Sequence, residues 1–145
     1  VEIMVKRLIL MVGLPRSGKS TMARKMGYPI VCRDAIRKTF GGTIRYFKEE
    51  TKVNNHEEFM IRSLFNAGHQ TVIIDATHLK HKYRERWMLF SLDNDCWVEY
   101  KFVLTPLAEC VRRAIKDYPD DPKFPLIIEG MYETSDMKEL IPRGS

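Results

Sequence analysis

At 145 residues, 44% hydrophobic and 30% charged, the chain has the size and composition of one globular domain with a single core. Its longest apolar runs are strand-length, far below the ~20 residues of a membrane helix, so no membrane partner is expected. The net charge of +5 is uneven: eleven bases face two acids over residues 1–48, bases and acids cancel over 49–116, and seven acids outnumber three bases over 117–145.

The first predicted element is a strand over Arg7–Val12, and it leads into the most informative part of the chain. Residues 13–20 read Gly-Leu-Pro-Arg-Ser-Gly-Lys-Ser, the G-x-x-x-x-G-K-[ST] phosphate loop, set between an apolar strand and a helix over Lys19–Met26. In that setting Gly13 and Gly18 allow the tight turn that aims backbone N–H groups at an anion. Lys19 supplies charge to the β- and γ-phosphates, and the Ser20 hydroxyl is a Mg²⁺ ligand. A nucleoside triphosphate, ATP by default, is therefore expected against Gly13, Pro15, Arg16, Ser17, Gly18, Lys19, Ser20 and Thr21. Lys6 and Arg7 precede only a short apolar stretch, so no leader peptide is expected.

A second strand over Ile30–Arg33 ends in Cys32-Arg33-Asp34-Ala35-Ile36-Arg37. In an open parallel sheet that end faces the same crevice as the phosphate loop. Asp34 is then placed to accept a proton from an attacking hydroxyl, and Arg37 to hold a substrate phosphate bidentately. An N-cap of a helix over 35–40 is the other reading of Asp34, and spacing alone does not choose between them. The stretch 43–48, Thr-Ile-Arg-Tyr-Phe-Lys, interleaves aromatics with bases. Tyr46 is a candidate for stacking on a nucleobase, the alternative being a loop tucked onto the core.

The helical pattern over Glu57–Ala67 puts Met60, Ile61, Leu64 and Phe65 on one face, with Gly68 as its stop. A third strand, Thr71–Asp75, closes on a carboxylate. Asp75 would orient Mg²⁺ or pair with a basic substrate-site residue, unless it is a turn cap. His78 and His81 lack a third ligand and do not make a metal site. Tyr83, Trp87 and Phe90 form a second helical stripe assigned to the core, and a fourth strand spans Trp97–Leu104. Apolar strands separated by helices indicate an α/β domain with a parallel sheet buried on both faces.

Thr105-Pro106 starts a helix with Pro at its first position, carrying Leu107, Val111, Ala114 and Tyr118 at helical spacing. Its bases Arg112, Arg113 and Lys116 suit a lid over the triphosphate, or a solvated face on which Glu109 pairs with Arg113. Pro119-Asp120-Asp121-Pro122 breaks the chain before a last helix over Leu126–Thr134. The end, Leu140 to Ser145, resembles an engineered protease-cleavage scar or expression-tag remnant, a native end being the alternative, and is set outside a single domain of residues 1–139. Cys32, Cys96 and Cys110 are odd in number with no C-x-x-C pair, which favours a reducing, cytoplasmic setting.

Taken in this order, the phosphate loop, Arg33-Asp34-x-x-Arg37, the strand ending Asp75-x-Thr77 and the basic lid helix resemble the kinase domain of bacteriophage-type polynucleotide 5′-kinases over residues 7–135. The resemblance implies a P-loop kinase fold, a four-stranded parallel sheet of order 2-3-1-4 with helices on both faces. It also implies ATP and Mg²⁺ as cofactors and a nucleic-acid 5′-hydroxyl end as substrate, within a host cytoplasm for a phage-type protein. By it, Lys19 and Ser20 serve the phosphates and Mg²⁺, Asp34 is the general base, and Arg37 clamps a 3′-phosphate. Asp75 and Thr77 belong to the active site, and Arg113 is the first lid arginine. Where the family places a second lid arginine this chain has Lys116-Asp117, and lysine lacks the planar fork. The family's frequent phosphatase domain has no counterpart in these residues. The same residues would also serve a kinase acting on a free nucleoside or nucleotide, or on a hydroxymethylated base in DNA. A slowly hydrolysing nucleotide-binding switch is the reading from another class.

Overall fold

The structure, a computed structural model, describes residues 5–41 and 50–145. Tyr46 and the rest of the 43–48 segment lie outside the described residues.

Strands β1 (Lys6–Val12), β2 (Ile30–Cys32), β3 (Thr71–Asp75) and β4 (Cys96–Phe102) form one parallel sheet of order β2-β3-β1-β4. This is the order that the family resemblance implies. β1 and β3 occupy the centre, where side chains alternate between two buried faces. Leu8 and Leu10 point with Val72 and Ile74 into a core closed by Ile61 and Phe65 of α3 (Glu50–Asn66) and by Trp87 and Phe90 of α4 (His81–Asn94). Ile9, Met11 and Ile73 face the other way, onto Ala23 of α1 (Lys19–Met26). Each fully buried aliphatic side chain here contributes about 1.5–3 kcal/mol. Helices therefore lie on both faces, and the loops that leave the carboxyl ends of the strands meet at one edge of the sheet.

Several boundaries and faces differ from the sequence expectation. The helix after β2, α2 (Arg33–Thr39), starts at Arg33 with Cys32 at its N-cap, so Asp34 lies inside the first turn. Helix α3 begins seven residues before Glu57, at Glu50. β4 is an edge strand with Trp97 65% exposed and Tyr100 and Phe102 also exposed, because burial on both faces applies to central strands only. Tyr83, assigned to the core by its spacing with Trp87, is 46% exposed. Pro106 is the N-cap of α5 (Leu107–Asp117) rather than its first residue, and α6 runs from Lys123 to Thr134.

The tail set aside as a scar is packed. Ile141 is 1% exposed in a cluster with Val12, Leu107, Ala114 and Ile128. The carbonyls of Pro142 and Arg143 accept the N–H groups of Leu107 and Ala108, capping the start of α5. Among the described residues no helix is long and apolar enough to cross a membrane.

Candidate active site

The phosphate loop leaves β1 through a position that only glycine can occupy. A Cβ on Gly13 would sit 2.7 Å from the Val103 carbonyl oxygen and 2.9 Å from Ser17 Oγ. The turn closes with Arg16 at φ 66° and Gly18 at φ 98°. Gly18 is the N-cap of α1 and offers no side-chain acceptor, so the first N–H groups of the helix stay open to an anion. Thr105 Oγ1 donates to the Ser17 carbonyl at 2.7 Å, and the Gly13 N–H to the Thr77 carbonyl at 3.1 Å. Thr77 thus ties the exit of β3 to the start of the loop. Ser17 is 3% exposed, and its Oγ lacks a hydrogen-bond partner.

Around this loop lies a cavity of about 300 Å³ lined by Arg16, Gly18, Lys19, Ser20, Thr21, Arg24 and Arg113. Four of those side chains are cationic and none is acidic, which fits a triphosphate. Burial pushes the Lys19 ammonium below its ordinary value, against the opposing pull of Asp75 and Asp34. Arg113 reaches the loop, its Nη1 3.1 Å from the Arg16 carbonyl, while its Nε binds Glu109 at 3.0 Å. The helix-surface pair and the lid contact are therefore made by the same guanidinium. Lys116 is exposed and outside the cavity lining, and the neighbouring Asp117 carboxylate pairs with Arg16, whose guanidinium also sits over the Tyr118 ring.

Ser20 Oγ donates to Asp75 Oδ2 at 2.6 Å. A hydroxyl and a carboxylate beside a phosphate cradle are hard oxygen donors of the kind Mg²⁺ takes, with waters and phosphate oxygens completing its shell. The donor set fits that ion. Among the described residues no group of three His, Cys, Asp or Glu side chains forms a metal cage. His81 is exposed and 3.5 Å from Glu85, whereas His78 is buried, so the two do not form a pair.

Asp34 lines neither this cavity nor a second one, but it interacts with Lys19 of the first and pairs with Arg37 of the second. Cys32 is in register with Asp75, so the first turn of α2 emerges beside the carboxyl end of β3. Burial raises the Asp34 carboxyl above its ordinary value, opposed by Arg37 and Lys19, with Asp75 pushing the same way as burial. Arg37 Nη1 donates to Asp34 Oδ1 at 2.7 Å, and its Nη2 and Nε hold Glu50 at 2.6 and 3.3 Å. The second cavity, about 240 Å³, is lined by Arg33 and Arg37, by Glu50, Asn54 and Glu57 of α3, and by Ala76, His78, Tyr83, Arg86 and Trp87. Glu57 is the group that sequence reasoning missed. It is 1% exposed, and its Oε1 accepts from Arg33 at 2.9 Å and from Arg86 at 2.8 Å.

The family model for an AAA domain (AAA_33) matches residues 8–121, most of the chain. The chain belongs to that family. Its fold is similar to a chain in the structure of the Pnkp1/Rnl/Hen1 RNA repair complex, with TM-score 0.68 and 20% identity over 93% of this chain and 48% of that one. A chain in the structure of the Pnkp1/Rnl/Hen1 complex gives TM-score 0.67 and 26% identity over 78% and 40%. The Mycobacterium tuberculosis APS kinase CysC, solved with AMPPNP and APS, gives TM-score 0.57 and 17% identity over 82% and 74%. This AAA-family chain thus has a P-loop kinase fold and spans about half the length of the Pnkp1/Rnl/Hen1 chains it matches.

Proposed function

We propose that the protein is an ATP-dependent polynucleotide 5′-hydroxyl kinase, of the kind bacteriophage-type enzymes represent. The observation that carries this reading is Asp34, paired with Arg37 of the second cavity and within electrostatic reach of Lys19 of the phosphate-loop cavity. ATP occupies the phosphate loop, Gly13 to Thr21, with Arg113 over its phosphates. The acceptor enters from the second cavity, its adjoining phosphate on Arg37. Asp34 takes the proton of the 5′-hydroxyl as that oxygen bonds to the γ-phosphorus and the bond to the bridging oxygen of ADP breaks. Lys19 and Arg113 offset the negative charge that builds on the transferring group. Ser20 and Asp75 would hold Mg²⁺, which would supply positive charge to the phosphate oxygens.

The likeness of the fold to a chain in the Pnkp1/Rnl/Hen1 RNA repair complex supports a nucleic-acid acceptor. A free nucleotide or nucleoside is the second reading, favoured by the modest size of the second cavity, about 240 Å³. Radiolabelled ATP offered with 5′-hydroxyl DNA, 5′-hydroxyl RNA and free nucleosides separates them. Label on oligonucleotide ends is expected; label on nucleosides alone favours the second reading, and no label on either removes both.

A further inference from the structure

The sheet ends on β4, and among the described residues no strand pairs with its outer side. The Val103 N–H donates to the Val12 carbonyl at 2.8 Å, and β4 runs parallel to β1 with Tyr100 in register with Leu10. Backbone groups alternate sides along a strand, so those of Trp97, Glu99 and Lys101 face β1. The N–H and C=O groups of Val98, Tyr100 and Phe102 point the other way, off the sheet. Such an edge is a template for a further strand unless charge or curvature blocks it.

Side chains alternate as well, between the two faces of the sheet. Val98, Tyr100 and Phe102 share the face of Leu8 and Leu10, and Glu99 and Lys101 the opposite one. On the first face Tyr100 and Phe102 are exposed with their rings 6.0 Å apart, and Leu104, just past the strand, is exposed too. Beside the start of β4 lies a trough of about 600 Å³, lined by Met88, Ser91, Leu92 and Asp95 at the end of α4 and by Cys96, Trp97 and Val98. Met88, Leu92 and Trp97 are exposed there, and a contiguous apolar surface of this kind marks a contact site. On the second face Glu99 binds Arg7 at 3.3 Å, and Lys101 is exposed.

We propose that β4 pairs antiparallel with β4 of a second copy of this chain, about a two-fold axis at Tyr100. Charge selects that centre. An axis at Glu99 or at Lys101 would set each against its own like charge, which opposes pairing. The axis at Tyr100 instead sets Glu99 opposite Lys101 of the second copy, twice. Both contacts fall at positions without cross-strand hydrogen bonds, where side chains approach most closely. The outward backbone groups of Tyr100 then meet their own counterparts, and those of Val98 meet Phe102. Phe102 and Leu104 of the second copy come alongside the trough at Val98 and Cys96. A lone lysine would guard this edge; here Glu99 supplies its partner. Such a contact is isologous and closes at two copies. The inference is independent of the kinase reading.

Sedimentation velocity of the full chain, from low to high micromolar concentration, tests this. A dimer with Kd in the micromolar range is expected, as for a small transient interface. Glu99→Lys and Lys101→Glu each place like charges opposite one another and are expected to raise Kd by about tenfold or more. Mixing the two variants restores opposite charges at both contacts, so the mixture is expected to dimerise where neither does alone. The doubly exchanged chain, Glu99→Lys with Lys101→Glu, is expected to dimerise as well, and it serves where a single variant fails to fold. An unaltered chain that stays monomeric overturns the inference. Single variants that dimerise as well as the unaltered chain also overturn it, since the contact then lies elsewhere. A mixture or a doubly exchanged chain that stays monomeric overturns the register at Tyr100, and the inference with it.

Discussion

His78 provides a test of the packing between the two cavities that needs no substrate. Its φ of 48° is left-handed, a region where asparagine is tolerated, so His78→Asn removes the titrating ring with little backbone cost. Burial holds the imidazole at about 4 rather than 6.5. The folded state therefore resists protonation while the unfolded chain accepts it. Stability from this group is complete above pH 6.5 and falls as the pH drops towards 4. The full difference between those two values corresponds to about 3 kcal/mol, of which about 2 kcal/mol is lost between pH 7 and pH 5. Urea unfolding of both proteins across pH 5–8 isolates this contribution, because the carboxylates titrate alike in each. The gap between wild type and His78→Asn should move by about 2 kcal/mol against wild type on acidification. A gap that stays constant with pH would show that the ring is hydrated or charged in the folded protein, contrary to its burial against the Met11 carbonyl.

Single contacts carry further consequences. Gly13→Ala drives a Cβ to 2.7 Å from a backbone carbonyl that cannot retreat, so a loss of about 1–3 kcal/mol in urea unfolding is expected, together with weaker ATP binding by calorimetry. Ile141→Ala should cost about 2–5 kcal/mol in the same unfolding assay, since the side chain is buried among α5 and α6; a surface tail would cost nothing measurable. Arg113→Ala is expected to lower kcat by about 10²–10³ with a smaller change in the KM for ATP, because its charge matters most as the phosphoryl group transfers.

How much of the fold and site is legible in the chain depends on how far apart the partners lie. The phosphate loop is eight consecutive residues with a strand before and a helix after, and its geometry needs only local glycines, so its fold is readable from composition and spacing. The strands are likewise local, and their order came from the family resemblance. Tyr83 misleads because it shares the helix face of Trp87 and Phe90 but lies in the first turn of α4, where it lines the second cavity and is 46% exposed. Glu57 leaves no local trace. Its partners Arg33 and Arg86 are 24 and 29 residues away on α2 and α4, and a glutamate inside a polar helix ordinarily faces water. The Arg16–Asp117 pair spans 101 residues and is equally invisible to spacing. The Leu140–Ser145 tail reads as a cleavage scar by its residues alone, and only the depth of Ile141 reveals that it packs.

The proposed phosphotransfer turns on the carboxylate of Asp34, half-exposed beside Arg37 and within electrostatic reach of Lys19. Single-turnover phosphate transfer to a 5′-hydroxyl oligonucleotide, measured for Asp34→Asn alongside ATP affinity, addresses it directly. The transfer rate should fall by about 10²–10⁴ while the Kd for ATP stays within about twofold. Transfer at a rate close to that of the unaltered protein would mean that no proton passes to this side chain, and the base would have to be sought elsewhere.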